Sequence, residues 1–288
     1  MSEERPIQWF PGHMAKSRRE IEKNLRLVDA VAEILDARIP QSSRNPDLDR
    51  MVGDRPRVVL LNKADLADPA HTRGWLERFS ERGVSAAAVD CRGGKGLERF
   101  QPLMETAAAG RIERWKQKGM AGRRIRVMVL GVPNVGKSSL INRLAGGSRA
   151  AAEDRPGVTR SLGWFPVGKK FEILDTPGVL WPKFEDPAVG EKLAFTGAVR
   201  DEVVDAEALA CRLLEVLRDG YARELGRRYR LEGDLSGLRG CELLEKIGAK
   251  RGMLLRGGEI DTVRAAAAVL DEFRAGKIGR ITLERAGA

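Results

Sequence analysis

The stretch GVPNVGKS, residues 131–138, spells G-x-x-x-x-G-K-S. Glycines at 131 and 136 let backbone N–H groups converge on phosphate oxygens at a helix N-terminus, where the peptide dipoles also favour an anion. Lys137 is spaced to bridge a β- and a γ-phosphate, and Ser138 to give its hydroxyl to Mg²⁺. Pro133, Asn134, Val135, Gly136 and Ser139 complete the set of expected nucleotide contacts. Further on, DTPG (175–178) closes an apolar run. There Asp175 is placed to hold Mg²⁺ through water and the Gly178 N–H to sense the γ-phosphate. Alone, the same four residues are good turn chemistry; behind a phosphate loop they read as functional. Between the two, RPGVTRS carries Thr159, the candidate for a second Mg²⁺ hydroxyl and for a segment that reports the γ-phosphate.

NKAD, residues 62–65, ends another apolar run. Asp65 is spaced to accept from both N1–H and the 2-amino group of guanine, two donors that adenine lacks at those positions. A site built this way rejects the wrong base by leaving its own acid unpaired. Asn62 would orient the loop and the Lys63 stem would cover the base. Unaided, NKAD also spells a helix N-cap; beside a P-loop and DTPG it points to GTP and GDP as the ligands. VDCRGGKG (89–96) follows the next strand and is expected, from position and glycine content, to supply the last base contacts through Asp90 and Cys91.

These residues need a scaffold that brings them to one edge. AVAEILDA (30–37), RVVLLNK (57–63), VSAAAVD (84–90), IRVMVLG (125–131) and FEILDTPG (171–178) read as strands, with functional residues at their carboxyl ends. Helical stretches alternate with them, one before residue 30 and one over 97–118, so an α/β fold with a mostly parallel sheet is expected. After residue 182 β-branched runs give way to helical periodicity, as in DAEALACRLLEVLRDG. The reading is two domains: residues 1–182 for the nucleotide, and 183–288 as an all-helical, basic, RNA- or ribosome-binding unit. In the first, the order is base motif, base loop, P-loop, Thr159 segment, DTPG. A sheet can be built from a chain opened at another surface point, and this order describes a circularly permuted P-loop G domain. The segment after DTPG then runs straight into the helices.

The 288 residues carry 51 Lys and Arg against 41 Asp and Glu, a formal charge of +10. That favours a polyanionic partner, nucleic acid or ribosome ahead of an anionic membrane. Three scattered cysteines form neither a disulfide framework nor a zinc motif. No apolar run reaches the length of a membrane span. A cytoplasmic monomer is expected.

Together, WFPGHMAK (9–16), LDARIP, NKAD, GVPNVGKSSLIN, RPGVTR and LDTPGVLWP resemble the YlqF/RbgA family of circularly permuted GTPases, closely over residues 7–200 and by domain type beyond. The resemblance implies a GTPase that binds the maturing large ribosomal subunit and its rRNA late in assembly. It implies a catalytic role for His13, whose alternatives are a helix cap or an RNA contact. Asn134 resembles the asparagine through which related GTPases bind K⁺, against simple loop packing. The residue after DTPG is Val179. It cannot hold water as the glutamine of many small G proteins does, so slow intrinsic turnover is expected. Two other readings stand beside this one. The first is an RNA-binding scaffold with GTP as a structural ligand. The second is a small-subunit assembly GTPase, whose usual zinc or OB-type module has no counterpart in the sequence. The arginines of ARELGRRYR (222–230) fit a solvated helix face or RNA phosphates equally. His71 reads as a surface residue near a helix start, and Trp9 and Phe10 as core plugs.

Overall fold

The computed structural model describes residues 19–120, 122–146, 163–176, 178, 180–181, 184 and 186–287. His13, Thr159 and Val179, like Trp9 and Phe10, lie outside them. A first helical stretch, α1, covers 19–25 of the described chain and buries Ile21 and Leu25. The strands are β1 (Ala30–Asp36), β2 (Arg57–Asn62), β3 (Ser85–Ala88), β4 (Ile125–Leu130), β5 (Trp164–Val167) and β6 (Phe171–Leu174). They form one six-stranded sheet in the order β3-β2-β1-β4-β6-β5. All pairs are parallel except β5 with β6.

β1 is buried at every position, as a strand covered on both faces must be. One face packs on Ile21, Leu25, Val28, Leu48 and Val52, from α1, the loop after it and α2 (Asp47–Val52). Trp75 and Phe79 of α3 (Pro69–Glu81) cover Leu35, Val59 and Leu61. Asp68 caps α3, accepting from Ala70 N and His71 N, with Pro69 at its first position. His71 accordingly sits in the first turn of a helix. The predicted helix over 97–118 is divided: a 3₁₀ turn at Leu97–Arg99, α4 (Phe100–Ala107) and α5 (Ala109–Gln117), broken at Ala108. Phe100 and Met104 bury while α5 buries nothing. α5 only leans on the core, through half-buried Ile112 and Trp115, and is otherwise a polar connector. α6 (Lys137–Leu144) springs from the end of β4.

The C-terminal part is helical: α7 (Pro187–Phe195), α8 (Ala206–Tyr229), α9 (Gly240–Lys250) and α10 (Thr262–Arg274). Trp181 and Phe184 meet edge to face at 5.2 Å and join the same hydrophobic core as Leu193, Leu213 and Phe273. That core runs on into the sheet through Ile34, Val129 and Ile141. α8 is kinked at Tyr221, where φ is −141° and ψ 38°.

One expectation is corrected here. Residues 183–288 contain nineteen Lys and Arg and nineteen Asp and Glu, so the helical part is neutral and the whole surplus of +10 lies in residues 1–182. Several of its arginines are committed internally: Arg228 and Arg251 both grip Glu272, at 2.6 and 2.8 Å, and Arg274 pairs with Asp201 at 2.7 Å. Tyr229 of ARELGRRYR is buried, with Arg251 over its ring. Part of that arginine group thus belongs to a packed network.

Candidate nucleotide site

All the parallel strands point their carboxyl ends to one edge, and the candidate residues follow those ends. The P-loop takes its shape from close backbone approach. A Cβ at Gly131 would lie 2.6 Å from the Ile34 carbonyl oxygen, and one at Gly136, whose φ is 105°, would collide with the Asn62 amide. Lys137 opens α6, is buried, and donates to the carbonyls of Val132 at 2.9 Å and Gly131 at 3.2 Å. Burial pulls its pKa down to about 8, against the attraction of Asp175. A polyphosphate arriving here would therefore meet an ammonium group short of counter-charge.

Asp175 is buried at the end of β6, and its Oδ1 has no hydrogen-bond partner among the described residues. Burial raises its pKa while Lys137 opposes the rise. The next residue, Thr176, gives its hydroxyl to the Val129 carbonyl and so pins the turn to β4. Gly178 comes so near the P-loop that a Cβ would meet Pro133 Cα at 2.6 Å and Lys137 Nζ at 2.8 Å. An unspent buried carboxylate oxygen, next to a loop that carries the Ser138 hydroxyl, is a hard-oxygen donor set of the kind Mg²⁺ takes.

Asn62 is the joint of the site. Its Nδ2 donates to the Val135 carbonyl at 2.6 Å, and its Oδ1 accepts from Cys91 N at 2.9 Å. One side chain thus ties the P-loop, the NKAD strand end and the 89–96 loop together, three motifs from separate parts of the sequence. Asp65 is exposed on the loop that follows. Lys63, at φ 61°, places Nζ 3.0 Å from Asp36 Oδ2. Asp90 spends its carboxylate on its own loop, accepting from Arg92 N at 2.9 Å and Gly93 N at 2.8 Å. The Cys91 thiol, pushed up to about 12 by burial, is an inert neutral group, and what this residue gives the site is its backbone. The Asn134 amide donates to the Gly197 carbonyl at 2.8 Å, a link from the P-loop to the turn after α7.

Two residues at the end of β1 belong to this constellation and carry no motif chemistry of their own. Asp36 accepts from Arg38 Nε at 2.9 Å and Nη2 at 2.7 Å. Arg38 and Lys63 together hold the Asp36 carboxyl far below the usual range despite its burial. LDARIP was in view as a sequence string, but only the fold shows that its acid faces Lys63.

A family model described as "50S ribosome-binding GTPase" matches residues 126–224. The chain is 47% identical over 279 residues to "Ribosome biogenesis GTPase A" of Priestia megaterium, with 96% of each chain covered. It is 33% identical to "Mitochondrial ribosome-associated GTPase 1" of Mus musculus, covering 96% of this chain and 90% of that one. Among solved structures it resembles GNP-bound YlqF from T. maritima, with a TM-score of 0.65 and 28% identity, over 94% of this chain and 99% of that one.

Proposed function

The chain belongs to the ribosome biogenesis GTPase A family, a GTPase that acts in ribosome biogenesis, and from that premise we propose that it serves late assembly of the large subunit through nucleotide-gated contact with rRNA. The observation that carries the large-subunit assignment is the match of residues 126–224, P-loop and DTPG included, to a model described for 50S ribosome-binding GTPases. In this reading Asn62, Lys63 and Asp65 read guanine, and residues 133–139 cradle the phosphates. Ser138, Thr159 and Asp175 would hold Mg²⁺, which when bound would supply charge neutralisation at the phosphates. Asp90 and Cys91 shape the base loop from behind. His13 orients or deprotonates the attacking water in place of the missing glutamine, and Asn134 offers its amide oxygen to K⁺. Residues 1–182 form the nucleotide domain and 183–288 a helical domain, in a monomer of the cytoplasm.

The surplus charge supports an RNA contact on the nucleotide domain. Arg114, Lys118 and Arg124 are exposed on the connector from α5 into β4, at the end of the sheet away from the P-loop, with no carboxylate partner among the described residues. Polyphosphate backbones bind such clusters through counterion release. The deciding experiment measures GTP turnover with isolated subunits. Large subunits are expected to raise it severalfold or more, and an equal rise with small subunits would remove the large-subunit assignment. His13→Ala is expected to lose the stimulated turnover; if turnover stays and RNA binding drops, the histidine is an RNA contact.

A further inference from the structure

The last dozen described residues, 276–287, leave α10 and cross back to the strand ends where the base motif sits. Arg280 gives Nη2 to the Ala64 carbonyl at 2.7 Å and Nε to the Ala67 carbonyl at 2.9 Å. Ile281 N donates to Leu66 O at 2.9 Å, and Asp68 N to Thr282 Oγ1 at 3.0 Å. Gly276 passes so close that a Cβ there would lie 2.6 Å from Leu66 Cδ2. Every residue from Ala64 to Asp68 except Asp65 is thus touched by this strand of chain, and Asp65 alone is left facing outward. Leu283 N donates to Arg38 O at 2.8 Å, and the Arg38 guanidinium reaches the carbonyls that end α10, Phe273 and Arg274, at 3.4 Å each. The kinked Tyr221 grips the segment from the other side: its hydroxyl donates to Thr282 O at 2.9 Å and accepts from Thr282 N at 3.0 Å.

We infer that residues 276–284 are a strap that sets the guanine-reading loop, with Arg280 as a positioning residue for base specificity. This rests on the reading of Asn62, Lys63 and Asp65 as the base motif. The physical reason lies in the loop's own poverty of bonds. Within residues 63–68 the backbone bonds itself through Leu66 N to Lys63 O at 2.9 Å and reaches the 89–96 loop through Ala64 N to Val89 O at 3.1 Å. A carboxylate that must meet two donors of one base edge needs its backbone fixed, because misplacement costs both hydrogen bonds at once. The strap supplies that fixation from the helical region, so guanine affinity and docking of the C-terminal strap become linked, each strengthening the other.

Arg280 is an exposed residue that holds the loop through its guanidinium, so substituting it spares the core. The test compares the affinities of the native chain, Arg280→Ala, Arg280→Lys and Asp65→Asn for GDP, inosine diphosphate and xanthosine diphosphate, by displacement of a fluorescent GDP. Losing two hydrogen bonds from a charged donor predicts about tenfold weaker GDP binding in Arg280→Ala. Inosine diphosphate, which lacks the 2-amino group, is expected to lose less, so that the GDP-to-inosine ratio falls; Arg280→Lys recovers part of it. Equal weakening of both nucleotides, or GDP affinity within twofold of native, overturns the inference. Asp65→Asn separates the premise: if it does not turn preference from GDP towards xanthosine diphosphate, the base-motif assignment is what fails.

Discussion

The nucleotide region and the helical region use charge in opposite ways. Residues 1–182 carry ten more basic than acidic groups, while 183–288 are neutral. In the first, acids at the site are committed to polar joints, Asp36 to Arg38 and Lys63 and Asp90 to its own loop, while Asp65 is left exposed. In the second, acids bind helices to one another, as Glu272 of α10 does with Arg228 of α8 and Arg251 just past α9. The difference teaches that net charge marks where a polyanion can land, and that arginine density alone does not. In the Arg-rich end of α8, Arg228 faces Glu272 and is committed, while Arg223, Arg227 and Arg230 are exposed in a region whose net charge is zero.

The comparison sharpens most at the joint of the site. Asn62→Ala removes the partner of both Val135 O and Cys91 N, two buried backbone groups. At about 1–3 kcal/mol for each unsatisfied group, guanine nucleotide affinity is expected to fall by one to two orders of magnitude or more. The helical signal in circular dichroism should change little. Titration with a fluorescent GDP beside a thermal melt checks this. Retained affinity would mean that the three motifs hold their geometry without the joint.

That joint was half legible in advance. The motifs are local strings with mechanisms attached, so GVPNVGKS, DTPG and NKAD could be placed on strand ends before any fold was known, and the sheet puts Asn62, Asp175 and Lys137 along one edge. What stayed hidden is what long-range packing decides. Asp36 and Arg38 sit two residues apart, yet their meaning depends on Lys63 and on the end of α10. Arg280 lies more than two hundred residues from the carbonyls it holds, in a segment whose local sequence offers no motif. The helical stretch expected over 97–118, with an exposed basic end, is divided for a different reason. Helical propensity continues past Ala108, but full burial does not: α4 sinks Phe100 and Met104 while α5 rests only half-buried Ile112 and Trp115 on the core. The basic character expected of the helical region carried the chain's +10 over to a part whose own acids cancel its basic residues, a balance that the sequence already held.

A middle-sized effect tests where RNA lands. Replacing Arg114, Lys118 and Arg124 together by glutamine is expected to weaken binding to rRNA fragments about tenfold at moderate salt. It should also flatten the log affinity versus log salt slope by about 0.7 for each phosphate of single-stranded RNA that the protein no longer neutralises. The matching triple change at Arg223, Arg227 and Arg230 in the helical region should do less. Filter binding across a salt series reads both, and a larger effect from the helical triple would reverse the comparison.

The smallest effect comes from acid. In the helical region Glu272 is held down to about 2, its hydrogen bonds to Arg228 and Arg251 outweighing burial. A carboxylate depressed on folding gives stability that is fully present above its ordinary value near 4.5 and is lost as pH falls through its folded value. In the nucleotide region Glu33 of β1 is raised, burial outweighing Arg57 and Arg44. The ionised Glu33 therefore costs stability at neutral pH, and acid relieves that cost. The two groups act with opposite sign in adjoining windows: Glu33 favours the nucleotide region as pH falls towards about 4.5, and Glu272 weakens the helical region between about 4.5 and 2, by about 1 kcal/mol once solvent screening is allowed for. The chain separates the signals by itself: its two tyrosines, Tyr221 and Tyr229, are in the helical region, and its five tryptophans all precede residue 183. On acidification the tyrosine near-ultraviolet signal should change at higher pH than the tryptophan fluorescence. In Glu272→Gln the helical region starts weaker at pH 7 and loses less on acidification, so the gap between the two transitions should narrow. If the gap is unchanged, the ion pairs of Glu272 do not set the acid stability of the helices.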